Sequence, residues 1–334
     1  MRVLAIESSC DETAAAIVTD GQIIESNIVA SQSELHAKYG GIVPEVAARA
    51  HLQSIIPVVR QSLTDAHVEW EDLDAIAATR GPGLPSALVV GFGVARGLAF
   101  GLGLPFIPVD HIEGHVMANW LIQNQTLDLP DLPAVALVVS GGHTELLLVE
   151  DGPVFKRLGG TRDDAAGEAF DKVARLLGLS YPGGPEVSRA ASNAAVRKMH
   201  FPRAWLRGTD DFSFSGLKTA VYRSVEELQN PDINEIAWAF QESVVDVLSK
   251  KAIHVAEREG ARSLLLAGGV AANMRLREIV QERSTVPVYI PPPFLCTDNA
   301  AMIAAAVRME MAIVPNRLID IDPTPYRSRV QKIG

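Results

Sequence analysis

Cysteine is nearly absent: the 334 residues hold two, Cys10 and Cys296. That excludes a disulfide framework and a CxxC zinc knuckle, and both are read as small loop residues of a reducing compartment; they approach each other only if their two loops line one cleft. No apolar run approaches the roughly 18 to 20 residues of a membrane span. Met1-Arg2-Val3-Leu4 leads straight into a strand and not into a signal peptide. The expected setting is the cytoplasm, with no membrane partner. Positive charge is also in deficit, with 30 Lys and Arg against 40 Asp and Glu and a net charge of -10. Broad, non-specific nucleic-acid binding rests on phosphate neutralisation, so a polyanion needs a local patch or a basic partner. Two patches qualify: Arg197, Lys198, His200, Arg203 and Arg207 around Phe201 and Trp205, and Arg327, Arg329 and Lys332 in the tail. For each, a solvated face is the competing reading. GxGxxG and GxxxxGKS/T are missing as well, which disfavours a Rossmann dinucleotide fold and a P-loop.

What is present describes a well-packed globular chain, 48% hydrophobic with 21% charged residues, and its length suits two lobes. Arg2 to Ser9 is an apolar strand followed by the polar elbow Ser8 to Thr13. Ala14 to Thr19 is a second strand, and Asp20-Gly21 turns into a third, Gln22 to Val29. The same grammar returns at Pro133: strand Ala134 to Val139, elbow Ser140 to Thr144, strand Glu145 to Glu150, turn Asp151-Gly152, strand Val154 to Leu158. Laying one turn on the other superposes Ser9 on Ser140 and Thr13 on Thr144, so a duplication is expected. Each copy goes on to a buried strand, a glycine turn and a helix: Leu73 to Ala78, Thr79 to Gly83 and Pro85 to Gly101 in the first; Ser263 to Ala267, Gly268 to Asn273 and on to Arg283 in the second. Glycine turns at helix N-termini favour phosphate.

The expected fold is α/β, with two duplicated lobes of the actin, sugar-kinase and Hsp70 (ASKHA, RNase H-like) superfamily and a nucleotide cleft between them. The lobes are expected at 1–130 and 131–299, the second with a helical insertion at about 159–259, and 300–334 as a helix and tail packing back on the first. Within the insertion, Asp163 to Leu177 reads as an amphipathic helix and Ile233 to Glu259 as one or two long helices; Ala300 to Ala312 reads as an alanine-rich helix.

His111-Ile-Glu-Gly-His115 places two imidazoles on one helix face, about 6 Å apart. On a half-buried face such a pair is also an ordinary set of satisfied polar groups. A metal reading needs a third, anionic ligand, for which Asp298 is the candidate; its alternative role is an N-cap. Asp110 can cap the His helix, and Gly114 leaves bare backbone beside an ion.

Six ordered segments, His111-xxx-His115, Ser140-Gly-Gly-His-Thr144, Tyr181-Pro-Gly-Gly-Pro185, Phe212-Ser-Phe-Ser-Gly-Leu-Lys218, Gly268-Gly-Val-Ala-Ala-Asn273 and Cys296-Thr-Asp-Asn299, together resemble one family. It is the tRNA N6-adenosine threonylcarbamoyltransferase family (TsaD), formerly called O-sialoglycoprotein endopeptidase. The resemblance implies transfer of threonylcarbamoyl from threonylcarbamoyl-AMP to N6 of adenosine 37 in tRNAs reading codons that begin with A (t6A formation). It implies one divalent metal, Fe(2+) or Zn(2+), on His111, His115 and Asp298. The adenylate is expected against Val138, Val139, Ser140, Gly141 and Gly142, with Asp171 on the ribose and Gly184 and Asn273 completing the pocket. A paralogous TsaB-like subunit on the first lobe and a TsaE-like P-loop ATPase are the implied partners beside tRNA. Glu12, in the first elbow, is the candidate to orient or deprotonate the incoming amine, and His143, in the second, to lie near the phosphate.

The older peptidase reading needs HExxH, with Glu beside the first His. Here Ile112 holds that place, and Glu113 points about 200° around the helix from His111. A sugar-kinase-like ATPase or a nucleotide-binding subunit remains the alternative that the fold permits.

Overall fold

The computed structural model describes residues 1–122, 129–151, 154–313 and 322–325. Gly152 of the second expected turn and the basic tail residues Arg327, Arg329 and Lys332 lie outside them. The chain forms two compact units, Met1–Leu129 with Thr297–Gly334, and Pro130–Cys296. Asp298 therefore belongs to the same unit as the His pair.

The first unit is built on strands β1 (Arg2–Glu7), β2 (Glu12–Thr19), β3 (Ile23–Ser31), β4 (Ala75–Gly81) and β5 (Phe106–Asp110), in the order β3-β2-β1-β4-β5. β1 is antiparallel to β2 and parallel to β4. Its continuous Val-Leu-Ala-Ile run suits a central strand buried on both faces. Asp20 and Gly21 both take positive φ, 54° and 68°, the conformation of a two-residue hairpin turn. Around the sheet lie α1 (Ser33–Ala37), α2 (Pro44–Ala66), α3 (Pro85–Leu102) and α4 (His111–Met117). Phe92 of α3 meets Phe106 of β5 edge-on at 4.9 Å in the core.

α3 corrects one expectation. Over its 18 residues the mean hydropathy is 1.5, long and apolar enough by length and composition to cross a membrane. Its Ala87, Leu88, Phe92, Ala95 and Ala99 are instead buried inside the unit.

The second unit repeats the plan with β6 (Ala134–Val139), β7 (Thr144–Glu150), β8 (Val154–Gly160), β9 (Ser263–Ala267) and β10 (Val288–Tyr289), in the order β10-β9-β6-β7-β8. A shift of 131 residues, Asp20 to Asp151, carries the pair Glu7↔Ala14 onto Val138↔Glu145, which is the observed register. The duplication thus extends to individual strand pairs. Helices α5 (Ala166–Leu176), α6 (Gly183–Ser192), α7 (Ser215–Glu227), α8 (Ile233–Arg258), α9 (Met274–Arg283) and the short α10 (Pro293–Cys296) complete the unit. Phe170 of α5 packs edge-on against Phe240 of α8 at 5.1 Å.

α5 begins three residues later than its pattern implies, because Asp163 has another task. Its carboxylate accepts from the Ser213 and Ser215 hydroxyls and from the Phe214 amide at 2.8 Å, fixing the start of α7. Phe212 and Phe214 are buried, with rings stacked 6.3 Å apart. The 201–212 loop, which carries Arg203 and Arg207 of the first basic patch, is held from below by Lys251. Its buried ammonium donates to the carbonyls of Leu206 (3.3 Å), Thr209 (2.9 Å) and Asp211 (2.6 Å). Lys251→Met keeps the stem but takes the shared donor from three half-buried carbonyls, so urea denaturation should show a loss of about 3 kcal/mol.

α11 (Ala300–Ala305) returns the chain to the first unit and is half its expected length. Alanine propensity would carry it to Ala312. Pairing wins instead: Ile313 exchanges both backbone hydrogen bonds with Phe106 on the edge of β5, at 2.8 and 3.0 Å, and Arg308 pairs with Glu113.

Candidate functional site

β5 ends at Asp110, whose carboxylate accepts from the amides of Ile112 (2.9 Å) and Glu113 (3.0 Å) and so starts α4 at His111. The i, i+4 spacing then stacks the His111 and His115 rings edge to face, centroids 4.6 Å apart, both buried. Across from them, α11 is capped by Asn299, which accepts from the Met302 amide at 3.0 Å. The cap expected of Asp298 is thereby filled by its neighbour. Asp298 Oδ1 reaches 3.2 Å from His115 Nε2 and 3.6 Å from His111 Nε2. One ligand atom from each of the three residues lies within 4.8 Å of the others.

Both ring nitrogens of buried His115 lack a hydrogen-bond partner; even the contact with Asp298 is outside hydrogen-bond geometry. An orphaned buried imidazole is costly, and a cation shared with the carboxylate removes the cost. Two imidazoles and one carboxylate are a donor set for Zn(2+) and for non-haem Fe(2+), with positions left open. The residues fit such an ion.

Gly114 serves packing and not the ion. A Cβ there would lie 2.9 Å from Ile303 Cδ1 and 3.4 Å from the Met302 carbonyl, so its absence lets α4 approach α11 and brings Asp298 to the His pair. Glu113, paired with Arg308, is engaged away from the trio, as the peptidase argument required.

On the far side of His111, Nδ1 lies 3.1 Å from Glu7 Oε2 and 3.2 Å from Ser9 Oγ. Sequence reasoning assigned Glu7 no role, though a carboxylate closing an apolar strand was a legible signal. Burial opposes the charge on His111, but the Glu7 and Asp298 carboxylates outweigh it and hold the pKa up at about 9. Burial, helped by the neighbouring His111, depresses His115 below its usual value although Asp298 opposes it.

Glu12 accepts from the Ser31 hydroxyl at 3.0 Å, and burial, reinforced by Asp11 and Asp298, pushes its pKa up to about 10. Without a cation nearby this carboxyl keeps its proton at neutral pH and is no base. The folded chain then holds a proton that the unfolded chain, near 4.5, releases; stability is full below that value and declines as pH rises toward about 10. Glu12→Gln should therefore raise the melting temperature of the metal-free protein at pH 8 and change it little at pH 4.

In the second unit, β6 delivers Val138 and Val139, both buried, to the elbow. Ser140 closes that elbow on His143: its amide donates to the His143 carbonyl at 2.8 Å and its hydroxyl accepts from the His143 amide at 3.2 Å. Gly167 lets α5 abut the elbow, since a Cβ would come 2.6 Å from the Ser140 carbonyl oxygen. Asp171 Oδ1 accepts from the Gly183 amide at 2.7 Å, joining α5 to the start of α6, where Gly184 has open space beside it. Asn273 caps α9 through Leu276 and donates to Ser188 (2.9 Å) and Gln241 (3.0 Å). Its side chain is thus committed to joining α6, α8 and α9. Ser140, Gly141, Asp171 and Gly184 are linked through α5, and Asn273 reaches the same α6.

The first basic patch is partly neutralised: Arg203 lies 3.4 Å from Asp246. Both cysteines are free; the buried Cys296 thiol lies 3.2 Å from the Pro291 carbonyl and 3.1 Å from the Arg277 guanidinium.

The paired five-stranded sheets define the class. Component A of (R)-2-hydroxyglutaryl-CoA dehydratase from Acidaminococcus fermentans is similar over 96% of this chain and 99% of its own, with 17% identity and a TM-score of 0.54. HypF of T. kodakarensis aligns over 91% of this chain and 47% of its own, with 14% identity and a TM-score of 0.63. The fold is that of the ASKHA superfamily. Residues 23–305 match the family tRNA N6-adenosine threonylcarbamoyltransferase. Members bearing that description include proteins of Dehalococcoides mccartyi, 48% identical over 98% of this chain and 99% of the relative, and of Moorella thermoacetica, 52% identical over 91% and 90%. The chain belongs to this family of transferases.

Proposed function

We propose that this protein transfers the threonylcarbamoyl group from threonylcarbamoyl-AMP to N6 of adenosine 37 in tRNAs that read codons beginning with A. Identity near 50% over almost the whole chain supports the reaction, and the convergence of His111, His115 and Asp298 with orphaned ring nitrogens carries its site. One divalent ion, Fe(2+) with Zn(2+) as the alternative, is held by those three residues and supplies Lewis acidity through its open positions. The donor is already activated, so the chain's own task is placement and charge stabilisation.

In this reading the adenylate lies along the 138–142 elbow, with its ribose at Asp171 and Gly184 providing clearance. Asn273 acts by fixing α6 beneath it, and His143 stands at the phosphate. Glu12 serves as a base once a cation at Asp298 offsets its acidic neighbours, and orients the incoming amine until then. Glu12→Ala accordingly spares adenylate binding and abolishes transfer.

A net charge of -10 leaves tRNA grip to the 197–207 patch and to partners. The exposed apolar residues Leu52 and Ile56 of α2, with Val89 and Phe100 of α3, support a seat for a TsaB-like subunit. A TsaE-like P-loop ATPase and a cytoplasmic setting complete the assignment. The test supplies threonylcarbamoyl-AMP and unmodified tRNA to the metal-replete protein, with and without partners. Mass spectrometry then looks for the modified nucleoside; none in either arm, with metal bound, overturns the reading.

A further inference from the structure

We infer that Glu7 is the positioning residue of the metal centre: its carboxylate accepts the Nδ1 proton of His111 and so turns Nε2 toward Asp298 and the ion. The inference rests on the proposed metal role of the trio.

Three adjacent parallel strands end at this point. β1 contributes Glu7, β4 contributes Thr79, and β5 runs through Asp110 into His111. Glu7 is fully buried and accepts from the Ser9 amide, the Thr79 hydroxyl and His111 Nδ1. Two donors therefore clamp the carboxylate before it meets the ring. Ser9 Oγ, at 3.2 Å, competes for the same proton, but a hydrogen bond to an ionised acceptor is roughly twice as strong as one between neutral groups. With Nδ1 engaged as the donor to Glu7, Nε2 is the nitrogen left to face a cation, and it is the atom 3.6 Å from Asp298. The clamped carboxylate also sets the ring's plane, which an ion shared with His115 requires.

The duplicated unit supplies an internal control. Under the shift of 131 residues, Glu7 corresponds to Val138, and Thr79, next to Ala78 in the Ile6↔Ala78 pairing, corresponds to Ala267, next to Leu266 in Leu137↔Leu266. The same sheet position there is buried and apolar, and the strands pair equally well. A carboxylate and a hydroxyl are thus not needed to join these strands. They occur in the unit that carries the His pair.

The experiment measures Zn(2+) affinity by chelator competition in the full-length protein and in Glu7→Gln, Thr79→Val, Thr79→Ser and His115→Ala. Glu7→Gln should stay folded by circular dichroism and bind Zn(2+) about 10- to 100-fold more weakly. Thr79→Val should lose part of the affinity, and Thr79→Ser should keep it. In the zinc-loaded protein, the low-field Nδ1 proton of His111 should shift in Glu7→Gln while the His115 resonances stay in place. A strand-joining role alone moves neither the affinity nor that proton. A folded Glu7→Gln with parental affinity overturns the inference, and if that variant does not fold, parental affinity in Thr79→Val does so. Parental affinity in His115→Ala overturns instead the metal reading itself, so the two failures are distinguishable.

Discussion

Asp298→Ala is expected to lose its bound metal and about three orders of magnitude in transfer rate while keeping its fold. The remaining His pair holds a divalent ion weakly without an anionic ligand. Lewis-acid stabilisation is worth several kcal/mol, and each 1.36 kcal/mol is tenfold in rate. The fold survives because Asn299, and not Asp298, caps α11, so no helix terminus is orphaned. Glu12 reports on the change independently: with one of its two acidic neighbours gone, its pKa falls from about 10. Metal content after dialysis, yield of the modified nucleoside and the melting temperature check the three parts. Full metal retention would remove Asp298 from the centre. Asp298→Asn keeps an oxygen without the charge and should fall between the parent and the alanine variant.

Much of this arrangement was legible because it depends on local rules. Period-two strands, the Asp20-Gly21 turn and the repeated elbow gave the sheets, and i, i+4 spacing with Asp110 as cap gave the facing imidazoles. Features fixed by distant contacts were not legible in the same way. Glu7 meets Thr79 and His111 across 72 and 104 positions, which no local pattern encodes. α11 stops at Ala305 because a strand edge claims Ile313, and Gly114 faces a helix nearly two hundred positions downstream. Asn273 shows the converse: the resemblance marks it for the adenylate, but its side chain is engaged as a cap and a brace, which makes its contribution indirect.

Gly268→Ala carries the second large effect, on the unit that holds the elbow. Gly268 follows β9 with φ at 87°, where an L side chain is strained, and an added Cβ would fall 2.5 Å from the Val139 carbonyl oxygen and 2.8 Å from its carbon. Backbone on both sides cannot yield as a flexible side chain would. β6 must then separate from the glycine turn, at a cost of about 3 kcal/mol or more, which urea denaturation measures. Because Val139 leads directly into Ser140, Gly141 and Gly142, the same displacement should weaken adenylate binding. Gly184→Ala separates the two consequences. Nothing lies within 4 Å of a Cβ at that position, so stability should hold. If the space beside Gly184 belongs to the ribose, KM for threonylcarbamoyl-AMP should rise in Gly184→Ala with the urea midpoint unchanged. An unaltered KM there, beside a destabilised Gly268→Ala, would mean that the glycine turn supports the sheet while the nucleotide lies elsewhere.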